Sequence, residues 1–371
     1  MIIRTEDLKT VCSKILTAAD ANALSPVTTS LELKTENTFL YMNVTNKEYY
    51  ARCKLPLDVA EDFHAVIESD LFLKLASLTT TDTIELSVRD NVLIFKGNGT
   101  YKIPLIFMGD KLIDLPEIKI NNVTTEFDID GEILNSILQY NSKELNKGVA
   151  IKPVQKLYYL DEFGALTFTS SGGCVNSFML PVPVKLLMQN RIVQLFKLFK
   201  NERVHFTLGY DAITDDIIQT KACFESDDTM ITAILSCDDT LLRSVPVEAI
   251  RGRANTEYPY AVTINRDACL QAIKRLMLFT PENTINLYSD FIFKKDCVII
   301  HDVKRDNKEE IYYTGNSIND EYTATLDFMD LKLTLETCSE PYVTLYFGNE
   351  VAVVIARGNI KNIISETHFM G

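Results

Sequence analysis

Residues 6–18, EDLKTVCSKILTA, place Leu8, Val11, Cys12, Ile15 and Leu16 along one face of a helix, with Lys9, Ser13 and Lys14 on the other. Outward from this segment, the same short amphipathic pattern returns at Gly131–Tyr140, through Leu134, Ile137 and Leu138, and at Arg266–Phe279, through Leu270, Ile273 and Met277. Asp130 and Asn265 stand where side-chain N-caps of these two helices belong. Each is followed by a second helical segment: Ser69–Leu78, Asn190–Phe199 and Asp327–Thr337. The separations Leu8 to Leu71, Leu134 to Leu195 and Leu270 to Leu331 are 63, 61 and 61 residues, an even period that reads as an internal repeat.

Directly after each second helix comes an alternating stretch: Ile84–Val88, Val204–Leu208 and Val343–Phe347. Each runs into a turn signal, Asp90-Asn91, Gly209-Tyr210-Asp211 and Gly348-Asn349, and apolar strands resume at Val92–Phe95 and Val351–Ile355. Entry to the second helix is alike in two copies, where a strand ends in Leu55-Pro56 and in Leu180-Pro181; the third has Thr325-Leu326-Asp327. Gly109–Val123 and Val245–Pro259, rich in Pro, Asn, Gly and charge, read as connectors. The expected fold class is therefore α+β, with three domains at 1–117, 124–249 and 258–371.

The 371 residues are 46% apolar and 24% charged, as a folded water-soluble chain requires. No stretch is long and apolar enough to span a membrane, and MIIRTEDLKT lacks the apolar core of a signal peptide, so the expectation is a cytoplasmic protein without membrane contact. Eight cysteines without a CxxC pair, beside four histidines, spell neither a zinc site nor a disulfide framework and read as reduced core thiols. A formal charge of −14 rules out coating nucleic acid with the whole surface, but allows a basic stripe on an acidic body.

Phosphate-binding, dinucleotide, zinc-protease and nucleophile-elbow motifs are all missing, and His64, His205, His301 and His368 are isolated from one another. Asp215-Asp216 and Asp227-Asp228 have no marked third ligand. Ser170-Ser171-Gly172-Gly173 has strand-like sequence on both sides and reads as a turn rather than an anion nest. The expectation is a non-enzymatic protein with no catalytic residue, metal or cofactor.

The middle copy carries a more specific signal in QKLYYLDEFGALTFTSSGGCVNSFMLP, Gln155–Pro181. With its Tyr158-Tyr159-Leu160 triplet and the small-residue turn that follows, and with the threefold order helix, strands, helix, hairpin, the chain resembles the bacterial DNA polymerase III β sliding clamps. The likeness covers the whole chain as architecture and is residue-specific only in patches. Where that family has a Thr-Asp-Gly-His-Arg-Leu-like turn, this chain reads Ser170-Ser171-Gly172-Gly173-Cys174-Val175, and Asp20-Ala21-Asn22-Ala23 stands where the family often has a basic loop. A divergent, phage-encoded member would fit both departures.

The resemblance implies three repeated clamp domains, each with two helices and antiparallel sheets, forming half of a closed ring that a head-to-tail homodimer completes. It implies double-stranded DNA held without sequence preference, a DNA polymerase and a clamp loader as partners. The six helical segments sum to slightly positive while the rest of the chain is acidic, as expected of helices that face DNA. The DNA-facing set is then Lys9, Lys14, Lys74, Arg191, Lys197, Lys200, Lys274, Arg275 and Lys332, with Tyr158 and Tyr159 near the channel mouth. Leu160, Ser170, Gly172, Val175, Arg243, Ser244, Ile363, Ile364 and Ser365 would line an apolar pocket for a partner peptide. Taken singly, each lysine is an ordinary solvated residue and each of these apolar residues ordinary core. The competing reading is a structural or scaffold protein of repeated α+β modules without a DNA function, and a hydrolase with an unmarked carboxylate site ranks last.

Overall fold

The periodicities above become helices in the computed structural model, which describes residues 1–19, 25–59, 62–137, 152–169, 172–200, 202–214, 217–279 and 288–367. Helices form at Thr5–Ala18, Ser69–Leu78, residues 131–137, Asn190–Gln194, Arg266–Met277 and Phe328–Thr337. Asn265 caps its helix by accepting from the Ala268 amide, and Asp327 caps another by accepting from Met329. The expected helix Asn190–Phe199 tightens after Gln194 into a 3-10 turn, Leu195–Leu198, whose Leu195, Phe196 and Leu198 are all buried.

Contacts divide the chain into two compact units, Met1–Asn135 with Gln194–Ser236, and Ser136–Val193 with Cys237–Gly371. The first unit holds a four-stranded sheet, ordered Ile2–Arg4, Thr83–Arg89, Val92–Lys96, Thr100–Pro104, and an eight-stranded one. In the larger sheet the Thr229–Ile234 strand of the middle copy pairs antiparallel with Tyr49–Pro56 of the first, Thr229 opposite Cys53. Helix Thr5–Ala18 buries Leu8, Val11, Cys12 and Ile15, at roughly 1.5–3 kcal/mol for each large aliphatic side chain withdrawn from water. Phe127, Phe206, Phe224 and Phe196 form a chain of ring contacts with centroids 4.7–5.1 Å apart.

The second unit holds one twelve-stranded sheet in which Gly172–Ser177 of the middle copy pairs with Ile360–Ser365 of the third. Its largest core gathers Leu270, Ile273, Phe291, Leu331, Leu335 and Phe347 between the helices and strands of the third copy. Phe293 stacks on Phe347 with centroids 3.9 Å apart. All the ladders described are antiparallel, so the α+β class stands.

Several local expectations are corrected. Asp90 and Asn91 do make a hairpin turn, with φ of 51° and 61°, the pairing a type I′ turn demands. Gly209-Tyr210-Asp211 is not a turn: the strand runs unbroken over Arg203–Thr214. Gly209 is there for close approach, since a Cβ would stand 2.3 Å from the Asn122 carbonyl oxygen of the neighbouring strand. Leu180-Pro181 lies beyond its strand, which stops at Ser177. Val245–Pro259 is more than a connector: it contains the helix Val247–Asn255, which buries Ile250 and Ala254, and a shorter helix Asp239–Arg243 precedes it. Asp20–Ala23, Asp215-Asp216, His368, Ser170, Ser171 and the end of Gly131–Tyr140 lie outside the described residues.

Candidate functional site

The expected DNA-facing cations fall into two groups. Lys197, Lys200 and Lys274 are exposed and make no ion pair among the described residues, and Arg191 is exposed beside them in sequence. Lys200 lies in the turn after Leu195–Leu198 with φ of 39°, and its carbonyl lies so close to the start of helical residues 131–137 that a Cβ on Gly131 would be 2.4 Å from it.

The other cations are engaged. Lys9 pairs with Glu6 at 3.5 Å, Lys74 with Asp70 at 2.7 Å and Lys332 with Glu336 at 3.9 Å, all within one helix. The Lys74 pair is exposed, and Lys9 and Lys332 are half-buried; pairs of this kind within a helix are worth only a few tenths of a kcal/mol. Arg275 grips Glu309 with two hydrogen bonds of 2.7 Å. Lys14 is different, because its side chain is only 14% exposed and its ammonium lies 2.8 Å from Asp228 and 3.0 Å from Glu202. Burial pulls that ammonium down, yet the hydrogen bonds to Asp228 and Glu202 outweigh it and hold Lys14 above the ordinary lysine range. Lys14 therefore ties the first helix to the segments that lead into strands Arg203–Thr214 and Thr229–Ile234 of the middle copy, a role its place in the helical pattern does not reveal.

Tyr158 is fully buried, with its hydroxyl 3.3 Å from Asn190 Oδ1. Tyr159 is buried as well, and burial pushes its phenol up to about 12.

The expected pocket residues lie in the second unit, and strand pairing decides which share a face. Tyr159 stands opposite Leu166, Leu166 opposite Val175, and Gly173 opposite Ile363, so these alternate onto one side of the sheet with Phe168 and Ser365. Helix Val247–Asn255 covers that side: Val154, Tyr159, Leu166, Phe168, Val175, Val245, Ile250, Ala254 and Ile363 form one apolar cluster. Leu157, Leu241, Leu242, Val247, Tyr258 and Tyr346 border it, partly exposed. Leu160 and Ile364 point to the opposite side, and Ile364 joins the core of the third copy. Arg243 and Ser244 are exposed at the end of the Asp239–Arg243 helix, and Ser365 accepts from Arg253 at 3.4 Å.

Glycine makes this face possible. A Cβ on Gly172 would sit 2.1 Å from the Ile363 carbonyl oxygen, inside the strand pair that joins the two copies. Ser170-Ser171-Gly172-Gly173, read as a turn, is thus in its second half a strand whose small residues serve backbone approach.

Sequence reasoning missed the ion pair between Arg251 and Asp161, 90 residues apart, and both short helices that carry the cluster's cover. Among the described residues no group of three His, Cys, Asp or Glu could hold a metal ion, and no helix is long and apolar enough to cross a membrane. None of the eight cysteines is in a disulfide, and burial pushes the Cys12 and Cys53 thiols up to about 12.

Neither a protein-family model nor a curated protein sequence matches the chain. Solved structures do. The chain is similar to the DNA polymerase III beta subunit of Thermotoga maritima, with a TM-score of 0.77 at 11% identity over 99% of both chains. It is similar to the DNA polymerase III subunit beta of Borrelia burgdorferi, solved in complex with a natural product, with a TM-score of 0.78 at 10% identity over 100% of this chain and 99% of that one. The DNA polymerase sliding clamp of Bacillus subtilis matches with a TM-score of 0.74 at 14% identity over 99% and 98%.

Proposed function

We propose, from a sliding-clamp fold that extends along the whole chain, that this protein is a DNA sliding clamp: two copies close head-to-tail around duplex DNA and tether the replicative polymerase as a processivity factor. The full-length likeness carries this reading, because a partial match would leave the ring incomplete. Each copy contributes three clamp domains, 1–117, 124–249 and 258–371, and the pairing of middle-copy strands with both neighbours supports that division. The protein performs no chemistry itself and works in the cytoplasm, with a clamp loader to open it. Its gain is one of effective concentration, since a tethered polymerase that lets go rebinds before it diffuses away.

DNA contact needs no base readout, only cations that tolerate phosphate while the duplex slides. Lys197, Lys200 and Lys274 supply them directly, and Arg191, Lys9, Lys74, Lys332 and Arg275 exchange a present partner for a phosphate; Lys14 is too firmly held to take part. Tyr158 and Tyr159 serve as packing beneath the channel mouth rather than as contacts.

Two surfaces left uncovered among the described residues support the homodimer. Thr100–Pro104 is an edge strand, and near it an apolar pocket is lined by Pro26, Leu71, Ile103, Leu105 and Ile106, with Met108 72% exposed. In the other unit Leu278 and Phe279, just past the helix Arg266–Met277, are 81% and 60% exposed. Two adjacent exposed large apolar residues suit insertion into the apolar pocket of a second copy.

With its own polymerase and loader on primed circular DNA, the chain is expected to lengthen the product of single binding events by about tenfold or more. Product lengths unchanged by the chain would favour the scaffold reading.

A further inference from the structure

Asn98-Gly99 is the one Asn-Gly step in the sequence, and it stands outside regular structure, between the strands Val92–Lys96 and Thr100–Pro104. Glycine after asparagine leaves the next backbone nitrogen open to attack the side-chain carboxamide, since no Cβ obstructs the approach. Asn98 is exposed to water. The Gly97 amide donates to the Gly99 carbonyl oxygen at 2.9 Å, and among the described residues the Gly99 amide itself donates to nothing. Nucleophile, amide carbon and water thus meet at one surface turn.

The carboxamide, by contrast, is engaged. The Thr80 backbone amide donates to Asn98 Oδ1 at 2.7 Å, and Asn98 Nδ2 donates to Thr80 Oγ1 at 2.7 Å, so one residue takes both ends of the side chain. Thr80 is itself anchored. Thr79 before it is buried, with its hydroxyl 2.9 Å from the Leu75 carbonyl oxygen of helix Ser69–Leu78. The turn also lies close against this segment, since a Cβ on Gly97 would be 2.8 Å from Thr79 Cγ2.

We propose that Asn98-Gly99 is a latent modification site, a succinimide-forming step held closed by Thr80. In the reaction the Gly99 nitrogen bonds to Asn98 Cγ while the Cγ–Nδ2 bond breaks. Nδ2 leaves as ammonia, the Gly99 amide proton passing to it through water. A water molecule then opens the ring at either carbonyl carbon, giving aspartate or isoaspartate with no change of oxidation state. Attack requires the carboxamide to rotate onto the Gly99 nitrogen, away from Thr80, and both hydrogen bonds oppose that rotation. Isoaspartate adds one backbone atom to the turn that leads into the edge strand Thr100–Pro104, and either product sets a carboxylate where Thr80 Oγ1 now accepts a hydrogen bond. The inference is independent of the clamp reading.

The test keeps the full-length protein at mildly alkaline pH, well below its Tm, either folded or unfolded in urea, and follows conversion of residue 98 by peptide mass spectrometry. Conversion in the folded protein is expected to be slower than in urea by about tenfold or more, because two hydrogen bonds hold the side chain. Thr80→Val keeps the backbone amide and removes the hydroxyl, and is expected to speed conversion of the folded protein about fivefold with the rate in urea unchanged. Gly99→Ala, whose Cβ would meet the outer end of the Tyr101 side chain at 3.2 Å, is expected to slow conversion in urea about tenfold. Equal rates in folded and unfolded wild type, a folded Thr80→Val protein that converts no faster than wild type, or a rate in urea that Gly99→Ala leaves unchanged would each overturn the proposal.

Discussion

A Gly172→Val protein is expected to lose about 3 kcal/mol of stability or more, a drop of several degrees in Tm, because there is no room for a side chain at this position. A Cβ there would lie 2.1 Å from the Ile363 carbonyl oxygen, a distance that forces the strands Gly172–Ser177 and Ile360–Ser365 apart. These strands join the middle copy to the third, so the damage is not local. Phe168, Val175 and Ile363 lose their common surface with it. Thermal unfolding checks the effect. Ser177→Thr, at the exposed end of the same strand, is the control and is expected to stay within about 0.5 kcal/mol of wild type. A Gly172→Val protein as stable as its parent would show that the strands are not joined as described.

The second large effect concerns the ring. Leu278→Asp combined with Phe279→Asp is expected to weaken self-association by about a thousandfold, since two apolar anchors at an interface are worth about 2 kcal/mol each and charge cannot enter the pocket they would fill. Both side chains are more than half exposed, so the fold of the single chain is expected to survive. Sedimentation across a concentration series separates the outcomes: a monomer with the unfolding profile of wild type is the expected result. Self-association equal to that of wild type would move the interface elsewhere.

Much of the fold was legible because its helices are amphipathic and evenly spaced. Leu8, Leu71, Leu270 and Leu331 mark a period that no tertiary contact is needed to see. The strands after the second helices were legible for the same reason, through alternation. What escaped was whatever depends on a partner distant in the chain. Gly209 looks like a turn residue in sequence and acts as a place of close approach, because its meaning lies in the Asn122 carbonyl beside it. Helix Val247–Asn255 carries glycine and charge, the composition of a linker, and its two buried residues make too narrow a stripe to register as a period.

The site was less legible than the fold. Lys14 reads as a solvated lysine until Glu202 and Asp228 arrive from the middle copy. Of the expected pocket, Val175 and Ile363 do share a face, whereas Leu160 and Ile364 lie on the opposite one. Strand alternation could have separated them had the pairing across copies been known. Asp161 and Arg251 offered no signal, being an acid and a base among many until the fold places one over the other.

The claim at the centre is topological: the chain holds DNA by encircling it. The protein is loaded onto a nicked plasmid by its own loader, isolated with the DNA, and then challenged by a single restriction cut. Encirclement predicts that it stays with the circle and runs off within minutes of linearisation, while a block at both ends of the cut DNA retains it. Equal retention on circular and unblocked linear DNA would mean that surface attraction holds the protein, and would contradict the ring.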